Sequence, residues 1–298
     1  MCWRAPTSMS PGVAMCSQKT RTILSAHAEV GRMPDLILYH ADLSPCAHKV
    51  RFVLEERGIE YDHRLLNLMA KDNLRPAYLA INPKGLVPAL DDAGQVVTES
   101  TVICEYLEDR FRENPLMPEA PLDRAGVRYW LKLVDEQLHP STAPILFGSL
   151  ARNIWLKRSP EEREKLLAQV PDPVRRERQA RLIKHGFDAP DLQPAIAVWL
   201  QAFDKMESAL ADGDWLMGGD ITLADCALVP YIYIMRYLRV DRVFEEFPKL
   251  GGWMDRVSSR PSFDAAIKPY VSDQQWQMIN RSASQAGPIL SQKFFASE

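Results

Sequence analysis

The residues best placed for chemistry lie in two stretches, the longer of which runs from Gly85 to Tyr106. Within it, Pro88 stands where a strand would begin, a position at which proline costs no ladder hydrogen bond and an X–Pro bond can be cis. A cis bond there would turn the backbone N–H and C=O of Val87 outward, free to pair with an extended ligand. Ser100 can cap the helix that follows, and the uncapped N–H groups beside Glu99 provide a site for a carboxylate. These features predict a receptor for a short anionic peptide.

The shorter stretch, Leu43-Ser44-Pro45-Cys46-Ala47, lies between an apolar strand and an amphipathic helix. Ser44 directly precedes the helix, so its hydroxyl can cap the helix or can donate a hydrogen bond to a bound group. Cys46 falls in the first helical turn, where the pKa of a thiol can drop far enough for it to form a mixed disulfide. The stretch therefore offers either a hydroxyl or a thiol for catalysis.

Together the two stretches resemble the glutathione site of the glutathione transferase family. The matching residues are Asn82-Pro83-x-Gly85-x-Val87-Pro88-Ala89-Leu90 and Thr98-Glu99-Ser100. The resemblance covers roughly Leu36 to Pro269 and implies that glutathione is the co-substrate. The glutathione-binding residues that it implies are Val87, Pro88, Glu99 and Ser100. The family's catalytic residue lies in the position of the shorter stretch.

A glutathione enzyme must first convert the thiol into a thiolate, because a thiol with a pKa near 8.5 is only a few per cent ionised at pH 7. The Ser44 hydroxyl and the helix N terminus together can lower that pKa by about two. Ser44 also holds the first position of the x-Pro-x-x motif, the exposed reactive position in thioredoxin-like folds. We therefore expect Ser44 to be catalytic, with Cys46 third in the motif as in the zeta-like branch. If Cys46 were the nucleophile, the protein would be a glutathione-dependent thiol transferase or reductase.

Within the family, the residues from Val96 to Asp109 are similar to those of bacterial β-aryl-etherases, which use glutathione to displace a phenolate. The resemblance thus implies a small hydrophobic electrophile, such as an aryl ether or an aryl halide. Candidate residues for the wall of its pocket are Tyr129, Trp130 and Val134. A hypothesis of another class is that the protein binds or regulates without catalysing a reaction, because this fold alone does not make an enzyme.

His48, on the first helix, is expected to lie on the surface, and no functional role is assigned to it.

The elements that would position these residues follow the order β-α-β-α-β-β-α, which predicts a thioredoxin-like α+β domain with a mixed four-stranded sheet in residues 34–113. A proline-rich linker in residues 114–123 leads to an all-helical domain in residues 124–272. Thr222 and Asp225 have the spacing of a capping box, so Asp225 is expected to stabilise a helix start and not to catalyse. Residues 1–33 are expected to be a disordered extension, or to follow a start codon upstream of a true first residue at Met33, although a basic segment with few acids can also be a transit peptide. Residues 273–298 are left as a tail.

Composition excludes several classes of function. The net charge of −3 provides no field that would recruit nucleic acid or an anionic membrane. Five cysteines without a C-x-x-C pair argue against a zinc ribbon and a disulfide framework, so no metal site is predicted and a reducing cytoplasm is favoured. No apolar run reaches the roughly 18 residues of a membrane span. The family resemblance implies a homodimer.

Overall fold

Four short strands form the sheet of the N-terminal domain in the computed structural model, which describes residues 36–296. Their spatial order is β2-β1-β3-β4, with β1 and β2 parallel and the other neighbours antiparallel. The strands are β1 (Leu36–His40), β2 (Asp62–Leu65), β3 (Ala89–Asp92) and β4 (Gln95–Thr98). The mixed four-stranded sheet expected from the sequence is confirmed. The extension predicted for residues 1–33 lies outside the described residues.

Three helices complete this domain in the predicted β-α-β-α-β-β-α order: α1 (Pro45–Arg57), the one-turn α2 (Pro76–Leu79) and α3 (Ser100–Arg110). α1 ends at Gly58, whose φ of 66° lies in the left-handed region that glycine adopts without steric cost. Ala93 and Gly94 both have positive φ and join β3 to β4 as the two-residue turn of a hairpin. Positive φ angles therefore fix the end of α1 and the turn between β3 and β4.

The second domain is all-helical, as predicted. Its helices are α4 (Pro121–Leu133), α5 (His139–Leu146), α6 (Arg152–Leu156), α7 (Pro160–Ala168), α8 (Pro173–His185), α9 (Leu192–Ala209), α10 (Leu223–Tyr237), α11 (Arg242–Glu246), α12 (Pro248–Ser258), α13 (Pro261–Ile267) and α14 (Asp273–Phe294). Among the residues described, no helix is both long and apolar enough to cross a membrane.

Two boundaries differ from the sequence-based expectation. α4 begins at Pro121, inside the segment assigned to the linker, because proline suits the first position of a helix, where no intrahelical N–H bond is lost. The residues left as a tail form α14, a helix of 22 residues that Ser272 and Gln275 begin with a capping box. Its buried face holds the small residues Ala283, Ala286 and Gly287 beside the large residues Ile279, Leu290 and Phe294.

The helical path from α4 to α6 passes through two π-helical segments, Val134–Leu138 and Phe147–Ala151. Two prolines interrupt the α-helical hydrogen bonds of this region, since proline has no N–H to donate to the fourth preceding carbonyl. Pro144 leaves the carbonyl of Pro140 free, and this carbonyl accepts a hydrogen bond from Arg178 of α8 at 3.3 Å. The irregular helix thereby gains a contact with α8 beside the site described below.

Asp225 has the structural role expected of it. It forms a capping box with Thr222 at the start of α10, and its side chain is fully buried. Its two carboxylate oxygens accept hydrogen bonds from the N–H of Leu216, the N–H and hydroxyl of Thr222, and the indole N–H of Trp253. The carboxylate thus joins three segments of the helical domain.

Candidate active site

The six residues selected from the sequence line one cavity of about 300 Å³. They are Ser44, Cys46, Val87, Pro88, Glu99 and Ser100. The opposite wall comes from the helical domain, which contributes Asp135, His139 and Arg175. The cavity is therefore a cleft between the two domains, and the structure brings together all the residues on which the sequence-based hypothesis depended.

The Val87–Pro88 peptide bond is cis, and it presents an unused stretch of backbone to this cavity. Two side chains stabilise the turn before it: the carbonyl of Leu86 accepts hydrogen bonds from the hydroxyl of Tyr78 at 2.5 Å and from the side-chain amide of Asn82 at 2.8 Å. β3 begins only at Ala89. Within residues 36–296, neither the N–H nor the C=O of Val87 has a hydrogen-bond partner. Val87 can therefore pair with the backbone of a bound peptide.

The start of α3 differs in one detail from the prediction. Ser100 is the first helical residue and does not cap the helix; Glu99 occupies the cap position, with no side-chain cap. The first N–H groups of α3 are consequently open to a ligand, and the Ser100 hydroxyl, which also helps to lower the pKa of the Cys46 thiol, lines the same cavity. Glu99 has a φ of 69°, in a region that costs a non-glycine residue on the order of 1–3 kcal/mol and that often marks binding sites.

The carboxylate of Glu99 forms a salt bridge of 2.7 Å with the ammonium group of Lys84. Both side chains are more than half exposed, so the pair contributes little to stability. The amino group of a bound peptide could replace the Lys84 ammonium at Glu99 at small cost. The negative charge of Glu99 is therefore positioned for recognition of an amine.

Ser44 is the N-cap of α1, and it also faces the cavity. Its hydroxyl oxygen accepts a hydrogen bond from the N–H of Ala47 at 3.3 Å, and its carbonyl accepts one from the N–H of His48 at 2.9 Å. A hydroxyl that accepts one hydrogen bond still has its own proton to donate. Capping and donation to a ligand are thus compatible at Ser44.

Cys46 has a partner that the sequence did not indicate. Its sulfur lies 3.5 Å from Nδ1 of His139, and the hydroxyl of Tyr231 lies 3.2 Å from the same nitrogen. Burial alone would raise the pKa of the Cys46 thiol, but the hydrogen bond and charge of His139, together with the charge of Lys49, outweigh it and lower the pKa to about 7. The thiolate also raises the pKa of His139, although burial opposes this effect. The site therefore contains an ionisable cysteine–histidine pair.

Lys49 connects the two domains behind this pair. Its side chain is completely buried, and its ammonium donates to the hydroxyl of Thr101 at 2.8 Å and to Asp135 at 3.2 Å. Thr101 in turn donates to the same oxygen of Asp135 at 2.8 Å. A buried charge needs such a partner, because an unpaired one is expensive to desolvate. This triad fixes α1 and α3 against the π-helical segment that leads into His139.

A second cavity of about 530 Å³ adjoins the first and shares Leu86, His139 and Arg175 with it. The remaining lining residues are Lys84, Ala143, Phe147, Pro171, Asp172, Arg178, Gln179 and Leu182. It is mostly apolar and lies next to the cysteine–histidine pair, so it is the candidate pocket for an electrophile. The basic helix α8 forms one of its walls.

Three residues proposed for the wall of this pocket do not reach it. Trp130 and Val134 are buried in the core of the helical domain, and Tyr129 is exposed on the protein surface beside Lys205. His48 was also misplaced, since it is buried between Tyr233 and Phe263. α1 packs against α3 of its own domain and against α10 and α13 of the helical domain, so residues on several of its sides are buried.

His139 and Arg175 are the site residues that the sequence did not identify. His139 follows the π-helical segment and is 93 positions from Cys46, so no local spacing joins the two. Arg175 belongs to a run of basic residues in α8, and no motif in the sequence places this run at the site. The prolines at 140 and 144 were the available signal, because they mark an irregular helix of the kind often found at functional sites.

Two family models match the chain, one in each domain. The model described as "Glutathione S-transferase, N-terminal domain" matches residues 43–110, a range that holds all six candidate residues. The model described as "Glutathione S-transferase, C-terminal domain" matches residues 173–256.

Known proteins with similar sequences include an etherase and a dehalogenase. Protein LigF of Sphingobium sp. (strain NBRC 103272 / SYK-6) is 33% identical over 218 residues, which cover 70% of this chain and 84% of LigF. The tetrachloro-p-hydroquinone reductive dehalogenase of Sphingobium chlorophenolicum is 27% identical, with 78% of this chain and 96% of that protein covered.

Solved structures agree with these sequence matches. The crystal structure of beta-etherase LigF has a TM-score of 0.72 at 31% identity, covering 79% of this chain and 99% of LigF. The crystal structure of a maleylacetoacetate isomerase from Methylobacterium extorquens AM1 with bound malonate and GSH has a TM-score of 0.56 at 27% identity, covering 77% of this chain and 95% of the isomerase. The chain belongs to the glutathione S-transferase family, an enzyme family whose co-substrate is glutathione.

Proposed function

We propose that this enzyme ionises the thiol of glutathione at the N terminus of α1 and directs the thiolate at a small hydrophobic electrophile, an aryl ether or an aryl halide. The observation that carries this proposal is that Ser44, Val87 and Ser100 line one cavity, which shares a wall with a second, mostly apolar cavity. Adjoining peptide and apolar sites suit a reaction between a peptide thiol and an apolar substrate. Similarity to an etherase and a dehalogenase supports the two kinds of leaving group.

In this proposal glutathione lies along the first cavity as an added length of extended backbone. The backbone of its cysteinyl residue pairs with the free N–H and C=O of Val87. Its γ-glutamyl carboxylate binds the Ser100 hydroxyl and the N–H groups at the start of α3, and its ammonium binds Glu99 in place of Lys84. This orientation directs the thiol towards the start of α1, where Ser44 is the cap.

The Ser44 hydroxyl then stabilises the ionised form of the glutathione thiol by donating a hydrogen bond to the sulfur. One hydrogen bond to a charged group contributes about 1.5–3 kcal/mol, which corresponds to a pKa lowered by about one to two. The thiol proton leaves to solvent. The sulfur lone pair then forms a C–S bond at the carbon that bears the leaving group, and a phenolate or halide departs with the electron pair of the broken bond.

The direct test is retention on immobilised glutathione followed by turnover of a panel of aryl ethers, aryl halides and epoxides. We expect retention that free glutathione reverses and conjugation of an aryl ether or an aryl halide, followed as product formation. Conjugation of the epoxides alone would contradict the proposed substrate class. Retention without turnover of any electrophile would favour a binding or regulatory protein that has this fold.

Replacing Ser100 by alanine should raise the apparent KM for glutathione about tenfold, because the variant lacks one charge-assisted hydrogen bond to the γ-glutamyl carboxylate. The measurement is initial rate against glutathione concentration at saturating electrophile. Ser208→Ala is the matched control, since the Ser208 hydroxyl is exposed on α9 and bonds only to the carbonyl of Asp204. An unchanged KM in Ser100→Ala would remove Ser100 from the glutathione site.

The cysteine–histidine pair favours a second candidate function, that of a glutathione-dependent thiol transferase or reductase. In that reaction the Cys46 thiolate attacks the disulfide of a glutathione mixed disulfide, forms a new disulfide with one sulfur and expels the other as a thiolate. The supporting observation is the 3.5 Å contact between Cys46 and His139, which lowers the pKa of the thiol despite its partial burial. Ser44 and Cys46 therefore represent two distinct mechanisms within the same cavity.

The reactivity of Cys46 should follow a titration with a midpoint near pH 7, because the thiolate is the species that reacts. Below that pH, alkylation by iodoacetamide should slow about tenfold for each pH unit. Replacing His139 by glutamine should move the midpoint upward, since the hydrogen bond and charge that lower the pKa are lost. The measurement is the rate of alkylation of the Cys46 peptide by mass spectrometry.

Cys104 is the internal control for this experiment, because burial raises the pKa of its thiol to about 12 and its side chain is inaccessible. A Cys46 midpoint that stays at the same pH in His139→Gln would show that His139 does not control the pKa of the thiol.

We also propose that the enzyme is a homodimer and that it is cytoplasmic. The family resemblance supports the homodimer, and the cysteine pattern supports the cytoplasmic location.

A further inference from the structure

The wall of the second cavity contains more positive charge than its neighbours neutralise. Arg175 and Arg178 lie three residues apart on α8, so both side chains project from the same face of the helix, and both line the cavity. Like charges at this spacing destabilise a helix when nothing lies between them. The two guanidinium groups thus provide a site for a negative charge.

The acidic groups near this pair neutralise it only in part: the charge of Asp172 acts on Arg175, and Asp191, which interacts with Arg178, has its ion pair with Arg181. The carboxylate of Asp172 caps α8 by accepting the N–H of Val174 at 2.9 Å, and Glu99 is paired with Lys84. Arg178 donates to the carbonyl of Pro140, which carries no net charge. The guanidinium of Arg175 has neither a hydrogen bond nor an ion pair with any residue of the described part of the chain.

The electrostatics of Arg175 agree with this geometry. Burial is the main cause that lowers the pKa of its guanidinium, Asp172 opposes the shift, and Arg178 adds to it. Lys71 lies close enough that Arg175 and Arg158 both contribute to lowering the pKa of its ammonium group, after burial as the main cause. The region around Arg175 is therefore a partly desolvated cluster of cations, in which a bound anion would be stabilised more strongly than in water.

The rest of the second cavity is suited to a flat apolar group. The side chains of Leu86, Ala143, Phe147 and Leu182 line it, and its volume of about 530 Å³ is in the range of small-molecule sites. Arg175 also lines the glutathione cavity, so it lies where the two cavities meet. A substrate that places its ring on Phe147 and its charge on Arg175 would extend from the apolar wall towards the thiolate.

We propose that the electrophile of this transferase is an aromatic acid, whose carboxylate is bound by Arg175 and Arg178 while its ring lies against Phe147, Leu86 and Leu182. This inference rests on the proposed transferase function and narrows it to one substrate class. Arginine suits the task, because its planar guanidinium binds a carboxylate through two parallel hydrogen bonds. A neutral ring of the same size would leave both cations unneutralised.

The test compares two aryl chlorides of nearly the same shape, the anionic 4-chloro-3,5-dinitrobenzoate and the neutral 4-chloro-3,5-dinitrobenzamide. With each, the glutathione thiolate adds to the carbon that bears chlorine, the C–S bond forms, and chloride leaves with the electron pair of the C–Cl bond. The rates are divided by the uncatalysed rates with glutathione, which removes the difference in intrinsic reactivity. We expect the normalised kcat/KM of the wild type to be about tenfold higher for the benzoate, and this advantage to shrink at high salt.

Arg175→Gln should abolish most of that advantage, by lowering kcat/KM for the benzoate about tenfold more than kcat/KM for the benzamide. Arg176→Gln is the matched control, because it removes the same charge from the neighbouring position of α8, on the side that faces α7. This control should retain the full preference for the benzoate.

The possible outcomes separate this inference from the function on which it rests. Conjugation of both probes without a preference for the benzoate would overturn the inference and leave the transferase function intact. An equal loss with both probes in Arg175→Gln would also overturn it, since Arg175 would then act on glutathione. Conjugation of neither probe by the wild type, together with failure of the wider panel, would overturn the transferase function and this inference with it.

Discussion

Ser44→Ala is expected to lower kcat/KM for conjugation about ten- to a hundredfold at neutral pH. The Ser44 hydroxyl is at the start of α1 in the glutathione cavity, and its loss should raise the pKa of the bound thiol by about one to two. Much of the activity should return at high pH, where the thiol ionises without help. The measurement is the pH–rate profile, together with the ultraviolet absorbance of the bound thiolate.

Cys46→Ala should keep most of the conjugating activity under the same conditions, because the proposed transfer forms no covalent bond to the protein. The thiol mechanism predicts the reverse pattern. Cys46→Ala would then be inactive at every pH, Ser44→Ala would stay active, and mass spectrometry of the wild type would find glutathione joined to Cys46. That reversed pattern would overturn the assignment of Ser44.

Ser44→Thr controls for the structural role of the same side chain. Alanine at an N-cap costs about 0.5–2 kcal/mol of stability, whereas threonine keeps a hydroxyl that can accept the N–H of Ala47. Activity that returns in Ser44→Thr, with the neutral-pH activity of the alanine variant still low, would assign the loss to the hydroxyl. Equal loss in both variants would assign it to the shape of the α1 terminus.

The strand and helix starts on the N-terminal side of the first cavity could be predicted, because local backbone chemistry determines them. Pro88 and the helix start after Glu99 are each fixed by the backbone preferences of a few neighbouring residues, and the structure places them as expected in one cavity. The assignment of Ser100 as a cap failed by a single position, since α3 begins at Ser100 itself. Errors of this size are usual at helix ends, where the first turn is defined by weak hydrogen bonds.

The contribution of the helical domain could not be predicted, because it depends on how the domains pack. Lys49 and Arg51 are on the face of α1 that charge assigns to solvent, yet both are almost completely buried. Their charges are satisfied by groups far along the chain, among them Asp135 for Lys49 and the carbonyl of Ala266 for Arg51. His139 reaches Cys46 across the same contact between domains. Helical period describes one element at a time, and it contains no information on such partners.

The largest effect on folding is expected from Asp225→Ala, which should lower the free energy of unfolding by about 4 kcal/mol or more. The carboxylate accepts hydrogen bonds from two backbone N–H groups and from the indole of Trp253, all at about 3 Å and all buried. Each buried donor left without a partner costs about 1–3 kcal/mol, and alanine can replace none of the three hydrogen bonds. Urea unfolding, followed by circular dichroism, measures the change.

Trp253→Phe and Thr222→Ala separate the carboxylate from its partners in the same experiment. Phenylalanine removes the indole donor, so no buried donor is left without an acceptor. Apart from the cavity left by its smaller ring, Trp253→Phe should therefore lower the free energy of unfolding much less than Asp225→Ala does. Thr222→Ala removes the side-chain cap of α10 and the hydrogen bond from the Thr222 hydroxyl to Asp225, with an expected cost of about 1–2 kcal/mol. Asp225 lines neither of the two cavities. The Asp225→Ala variant, measured at a low temperature at which it remains folded, should therefore keep the wild-type KM for glutathione. A loss of unfolding free energy no greater than that of Thr222→Ala would show that the carboxylate acts only as a helix cap and does not hold the three segments together.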